Sequence, residues 1–125
     1  MRMVLVVFLV LLCGVGVAAA SPAHNITSGD VKILLNKDKK TFLLDVRTVE
    51  EFRQARLRGA TLIPIGEIER RYIEIPKDRA VVVYCAVGSR SGIVADFLAK
   101  RGYRQVYNMK DGIVGWYRSG YSIER

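Results

Sequence analysis

Histidine and cysteine are almost missing from this chain. Its 125 residues carry one histidine, His24, and two cysteines, Cys13 and Cys85. With so few ligand-type side chains and no set grouped around either thiol, no metal site is expected. No segment repeats and no low-complexity tract appears, which argues against a solenoid or an array. Nothing suggests a nucleotide, so no cofactor is expected either. Charge is missing locally: residues 4–20, "VLVVFLVLLCGVGVAAA", hold none and follow Met1-Arg2-Met3. A short positive start, an apolar run and a small-residue exit match a secretory signal peptide, with Ala18 and Ala20 flanking the expected cut before Ser21. An uncleaved anchor is the second reading, since the run is about long enough for a marginal span. Gly14, Gly16 and the alanines thin its second half and favour cleavage. Lipidation at Cys13 is disfavoured by Leu12, which stands where a small residue belongs. The expected organisation is therefore a leader at 1–20 and one domain at 21–125, exported, with the periplasm as its place and no membrane span in the mature form.

That domain keeps a single thiol. Exported domains use cysteines in pairs, so Cys85 cannot be half of an internal disulfide. Either it is an inert buried thiol or it does chemistry. The formal charge is +8, or +7 once Arg2 leaves with the leader. The basic residues are spread out, and nucleic acid is a poor partner for an exported protein. The charge is either a solvated basic surface or a field that draws small anions. "NIT" at Asn25 fits a glycosylation pattern that matters only in a eukaryotic lumen.

Along the domain the pattern alternates. "TSGDVKILLNKD" places Val31, Leu34 and Leu35 on one helical face behind a Thr27/Ser28 cap. "TFLLDV" is an apolar run of strand length. "TVEE" reads as a capping box, Thr48 with Glu51, opening a helix that turns Phe52 inward. "GATLIPI" is a second strand ending at Pro64, and "GEIERRYIEI" a helix with Ile68 and Tyr72 four apart. "AVVVY" is continuously apolar, as a strand buried on both faces would be. "SGIVADFLAKRG" predicts a helix with Ile93, Val94, Phe97 and Leu98 on one face and Gly102 as its stop. "QVYNM" is a last strand and "DGIVGWYRSG" a terminal helix. Strands alternating with helices imply an α/β domain with a mostly parallel sheet.

In such sheets ligands bind beyond the carboxyl ends of the strands, and Cys85 stands just past the end of a central-looking one. Six residues, 85–90, are expected to join it to a helix starting near Ser91. Small side chains let that loop curl so that its N–H groups point at the sulfur, and Gly88 can take positive φ. The helix N-terminus adds partial positive charge. Together these favour a thiolate and make a cup for an anion.

Taken together, "LLDVR" (43–47), "EEF" (50–52), "RGATLIPI" (58–65), "VVVYCAVGSRS" (81–91) and "GYRQVYNMKDGIVGWYRSGY" (102–121) resemble a single-domain rhodanese, a module of the thiosulfate sulfurtransferase type. The resemblance implies a three-layer sandwich: a mostly parallel sheet of about five strands with helices on both faces. It implies that Cys85 is the catalytic nucleophile, taking sulfane sulfur from a small anionic donor such as thiosulfate. A thiol or cyanide would then accept it from the Cys85 persulfide. The N–H groups from Ala86 through Val87, Gly88, Ser89, Arg90 and Ser91 would hold the persulfide's charge. Arg90 either contributes charge or closes the loop with a salt bridge. Asp45 and Arg47 are architectural, and a monomer is favoured. In one place the chain departs from the pattern. Many relatives carry Gly-His where this sequence reads Ala55-Arg56-Leu57-Arg58-Gly59, away from the cysteine, which bears on local packing or partner choice.

Related loops in cysteine phosphatases need Cys-x5-Arg, so that arginine reaches round a tetrahedral oxyanion. Here Arg90 follows four intervening residues and Ser91 holds the fifth place, a shorter ring that suits sulfur better than phosphate. A binding module without catalysis commonly lacks the cysteine, which is present here. A persulfide carrier or redox sensor with a dedicated partner remains open, since an exposed, activated thiol would suit it equally.

Overall fold

The computed structural model describes residues 21–125 and Gly14. The leader expected at 1–20 lies otherwise outside the described residues. Among those described, no helix is long and apolar enough to cross a membrane.

Five strands form one sheet: β1 (His24–Ile26), β2 (Phe42–Asp45), β3 (Thr61–Leu62), β4 (Val81–Tyr84) and β5 (Val106–Met109). Their order is β1-β5-β4-β2-β3, and every pairing is parallel. Parallel neighbours need crossovers, and the helices supply most of them: α1 (Ser28–Lys37), α2 (Val49–Gln54), α3 (Ile68–Arg71), α4 (Ser89–Lys100) and α5 (Gly112–Arg118). Alternate residues of β2 and β4 serve opposite faces. Leu44, Val46, Val81 and Val83 pack with Ile68, Val94, Ala95 and Leu98 from α3 and α4. Leu43, Val82 and Tyr84 pack with Val31, Ile113 and Trp116 from α1 and α5. The result is the expected three-layer sandwich, and β4, buried at all four positions, is its middle strand.

The capping box of Thr48 with Glu51 forms on α2 as read, and the cap expected at Thr27/Ser28 is Thr27, in a capping box with Asp30 on α1. Other expectations need correction. The strand at His24–Ile26 was not foreseen, because three residues with no apolar alternation carry no strand signal. It exists by pairing with β5. The strand foreseen in "GATLIPI" is only two residues long. The helix foreseen over "GEIERRYIEI" is one short α-turn, α3, between 3-10 turns at Ile65–Glu67 and Tyr72–Glu74. Ile93 is 66% exposed. The buried stripe of α4 runs through Ser91, Val94, Ala95, Leu98 and Ala99, and Ile93 lies beside it rather than on it. Small residues on that stripe bring the helix close to the sheet.

Candidate active site

All five strands point the same way, so β2, β4 and β5 end on one edge, and Cys85 leaves β4 at its centre. The turn is tighter than expected. α4 begins at Ser89, so residues 85–88 alone reverse the chain. Gly88 caps the helix with φ 95° and ψ −9°, a left-handed conformation that side chains resist. A β-carbon there would also collide with the Lys110 carbonyl. Gly112, at φ 64°, has the matching constraint, since its β-carbon would strike the Ala86 carbonyl. The cysteine loop and the β5–α5 turn therefore cross at van der Waals contact through two glycines.

The crossing orients the loop. Ile113 N–H donates to Cys85 O at 2.9 Å and Val114 N–H to Ala86 O at 3.1 Å. A planar peptide points its C=O and N–H in opposite directions. Carbonyls turned toward α5 therefore turn the Ala86 and Val87 N–H groups away from it. Cys85 Sγ accepts from Gly88 N–H at 3.1 Å and Ser91 N–H at 3.4 Å, and Ser91 Oγ lies 3.3 Å away. Burial, the largest single influence on this thiol, pushes its pKa up. Hydrogen bonds from the Ser91 hydroxyl and the Ser91, Val87 and Gly88 N–H groups together outweigh it, and the pKa falls below its ordinary value. The sulfur is thus activated as expected, but it is not exposed: Cys85 is 0% accessible, because the loop closes over it.

The other residues singled out in the sequence divide into groups. Gly88 and Ser91 touch the sulfur. Ala86 faces α5, while Val87, 60% exposed, and Ser89 form the outer rim. Arg90 turns aside: its Nη1 and Nη2 bond Glu51 Oε1 and Oε2 at 2.8 and 3.1 Å. The bond to Arg90 pulls the Glu51 carboxyl down to about 2. Glu51 also accepts from Thr48 N–H, so one carboxylate ties the start of α2 to the first turn of α4. Asp45 and Arg47 pair with each other, both buried, through Nε and Nη2. Arg47 Nη2 also bonds Ala55 O, and Tyr84 Oη accepts from Leu57 N–H at 3.1 Å. The segment at residues 55–59, where the sequence departs from the pattern, is fixed through its backbone. It is held from below by Arg47 and Tyr84, and it pairs outward through Arg56 with Glu124.

One residue of the site was not read from the sequence. Asn108, buried on β5, places Oδ1 2.6 Å from Ser91 Oγ. Its Nδ2 donates to Gly88 O at 3.2 Å and to Asn25 Oδ1 at 2.9 Å. The available signal was an asparagine inside the apolar run "QVYNM". Among the described residues, no group of three or more His, Cys, Asp or Glu side chains could hold a metal ion.

The rhodanese-like domain family matches residues 27–119. A sulfurtransferase of Allochromatium vinosum is 37% identical over 80% of this chain and 94% of its own. A thiosulfate sulfurtransferase of Actinobacillus succinogenes is 40% identical over 66% and 74%. The Bacillus subtilis protein YrkF, named as a candidate sulfur carrier, is 32% identical over 78% of this chain, which spans about half (52%) of it. Among solved structures, a rhodanese-like domain protein from Staphylococcus aureus superposes with a TM-score of 0.71 at 29% identity, covering 82% of this chain and 99% of that one.

Proposed function

This chain belongs to the rhodanese-like domain family and has sulfurtransferases and a candidate sulfur carrier among its relatives, and from that premise we propose that it transfers sulfane sulfur through a persulfide on Cys85. The carrying observation is the cup: a thiol at the end of the central strand, bonded by two N–H groups and beside a hydroxyl. The Cys85 thiolate attacks the outer sulfur of thiosulfate. A new S–S bond forms, the old one breaks, and its electron pair leaves with sulfite. The persulfide anion carries its charge on the outer sulfur. Among the described residues the N–H groups of Ala86, Ser89 and Arg90 have no protein partner, so donors remain for that second sulfur, as an oxyanion hole holds oxygen. Cyanide or a thiolate then attacks the outer sulfur and regenerates Cys85 thiolate, in ping-pong order. The family setting, the net charge of +8 and the arginine-rich surface support a small anionic donor.

A carrier that hands its persulfide to a dedicated protein partner is the second reading, favoured by the likeness to YrkF. Residues 1–20 support export to the periplasm by a cleaved leader, which N-terminal sequencing of protein from its native host would test: an intact Met1 in membranes points to an anchor instead.

Intact mass spectrometry after thiosulfate treatment should show one added sulfur on the wild type and none on Cys85→Ser. Thiocyanate release with cyanide should fall to background in that variant, which keeps its fold because the change is small. No added sulfur on the wild type would remove the transfer reading. Added sulfur with no release to cyanide or small thiols would select the carrier.

A further inference from the structure

The polar contacts beneath the cysteine loop have only one consistent direction. Gly88 O is a carbonyl and can only accept, so the Asn108 atom 3.2 Å from it is the donor Nδ2. The opposite face of that amide is then Oδ1, which can only accept. It lies 2.6 Å from Ser91 Oγ, so the hydroxyl proton points at Asn108. A hydroxyl has one proton. While Asn108 holds it, Ser91 shows Cys85 Sγ, 3.3 Å away, a lone pair. That arrangement suits a thiol, which has an S–H to donate. A thiolate needs the opposite.

We propose that Asn108 is a positioning residue that draws the Ser91 hydroxyl away from the sulfur, so that Ser91 donates to Cys85 Sγ only while that atom carries negative charge. The inference deepens the sulfur-transfer reading and rests on it for its catalytic meaning. In the persulfide the charge sits on the outer sulfur, Sγ is neutral, and the hydroxyl bonds Asn108. When the acceptor attacks the outer sulfur, the S–S bond breaks and its electron pair moves to Sγ. The hydroxyl turns to meet that charge, and no proton changes owner. Ser91 thereby assists the departure of Sγ without holding it in the resting persulfide, while the fixed N–H groups of Gly88 and Ser91 serve both states.

The neighbouring charged groups are engaged elsewhere: Arg90 is paired with Glu51, Arg47 with Asp45, and Asp111 is bonded to Ser28. The test is a cycle of alkylation rates against pH. Asn108→Leu leaves the sulfur as the hydroxyl's remaining acceptor, so iodoacetamide should react about two- to tenfold faster below the thiol's pKa, the worth of one hydrogen bond. In a Ser91→Ala background, where only the bond to Gly88 O is lost, the same substitution should bring no acceleration. An Asn108 that only shapes the loop through Gly88 O would slow the reaction by the same factor in both backgrounds, and that outcome overturns the proposal. Asn108→Ala runs the same cycle without added bulk on β5. In unaltered protein, the side-chain amide signals of Asn108 should move as Cys85 titrates, and move less in Ser91→Ala. Unmoved signals in the wild type would overturn the proposal without any Asn108 variant. None of these measurements uses a sulfur donor. A protein that passes the cycle but takes up no sulfur loses the proposed function and keeps this device, and the reverse result does the opposite.

Discussion

Two acidic groups are buried at the carboxyl edge of the sheet, and they are held in opposite ways. Asp45, at the end of β2, meets a full counter-charge: Arg47 binds it through Nε and Nη2, and Arg47 N–H adds a third donor. Cys85, just beyond the end of β4, meets backbone N–H groups and a hydroxyl, while the nearby guanidinium of Arg90 is taken up by Glu51. A carboxylate neutralised by an arginine is an architectural part and has no reason to react. A sulfur held by hydrogen-bond donors rather than by a bound guanidinium keeps lone pairs free to react. The difference teaches that hydrogen-bond donors can lower the pKa of a buried thiol without a bound counter-ion, with small residues letting the backbone supply them.

The comparison breaks most severely at Arg47. Arg47→Ala leaves Asp45 buried without a partner and should cost about 3–5 kcal/mol of stability, read from denaturant midpoints. Alkylation of Cys85 in the folded fraction should be unchanged. A loss below about 1 kcal/mol would show that water reaches Asp45 and that the pair is not the closed unit described.

A milder break is expected at Gly88. Gly88→Val forces a side chain into φ 95° and against the Lys110 carbonyl, at a cost of about 1–3 kcal/mol. Sulfur transfer should fall further than stability, because the same movement withdraws the N–H bonded to Sγ. Equal transfer per folded molecule would detach the chemistry from the shape of the loop.

The smallest effect sharpens the contrast at Glu51. Its folded-state carboxyl titrates at about 2 against an ordinary value of 4.5. Its contribution is therefore fully present above about pH 4.5 and is lost as pH falls toward 2. Glu51→Gln should cost about 1 kcal/mol at neutral pH, allowing for the partial exposure of both partners. The gap to wild type should close across that window of falling pH. A gap constant down to pH 2 would mean that the capping contact, rather than the charge on Glu51, holds α4 to α2.

The layers, the central place of β4, the cap of α1 and the capping box of α2 were legible because each is written in local spacing. The cup was legible because Cys85, Gly88 and Ser91 lie within seven residues. What escaped depends on distant partners. Arg90 finds Glu51 across 39 positions and Asn108 finds Ser91 across 17, and no periodicity announces either. The strand at His24–Ile26 is stabilised by its neighbour rather than by its own residues. The exposure expected of Cys85 failed for a related reason. Loop closure is imposed by the turn around Gly112, whose only signal in the sequence is that of a helix start.

That crossing sets an order in time. A chain that has formed β4 and α4 already has the thiol, the glycine and the serine in sequence, but not the Lys110 carbonyl that Gly88 packs against, nor Asn108, nor the N–H groups of Ile113 and Val114 that aim the loop. Wherever the chain folds, Cys85 lacks these contacts until β5 and α5 have docked. The geometry that lowers its pKa is complete only when the last part of the domain docks, so a depressed thiol pKa would report a finished fold.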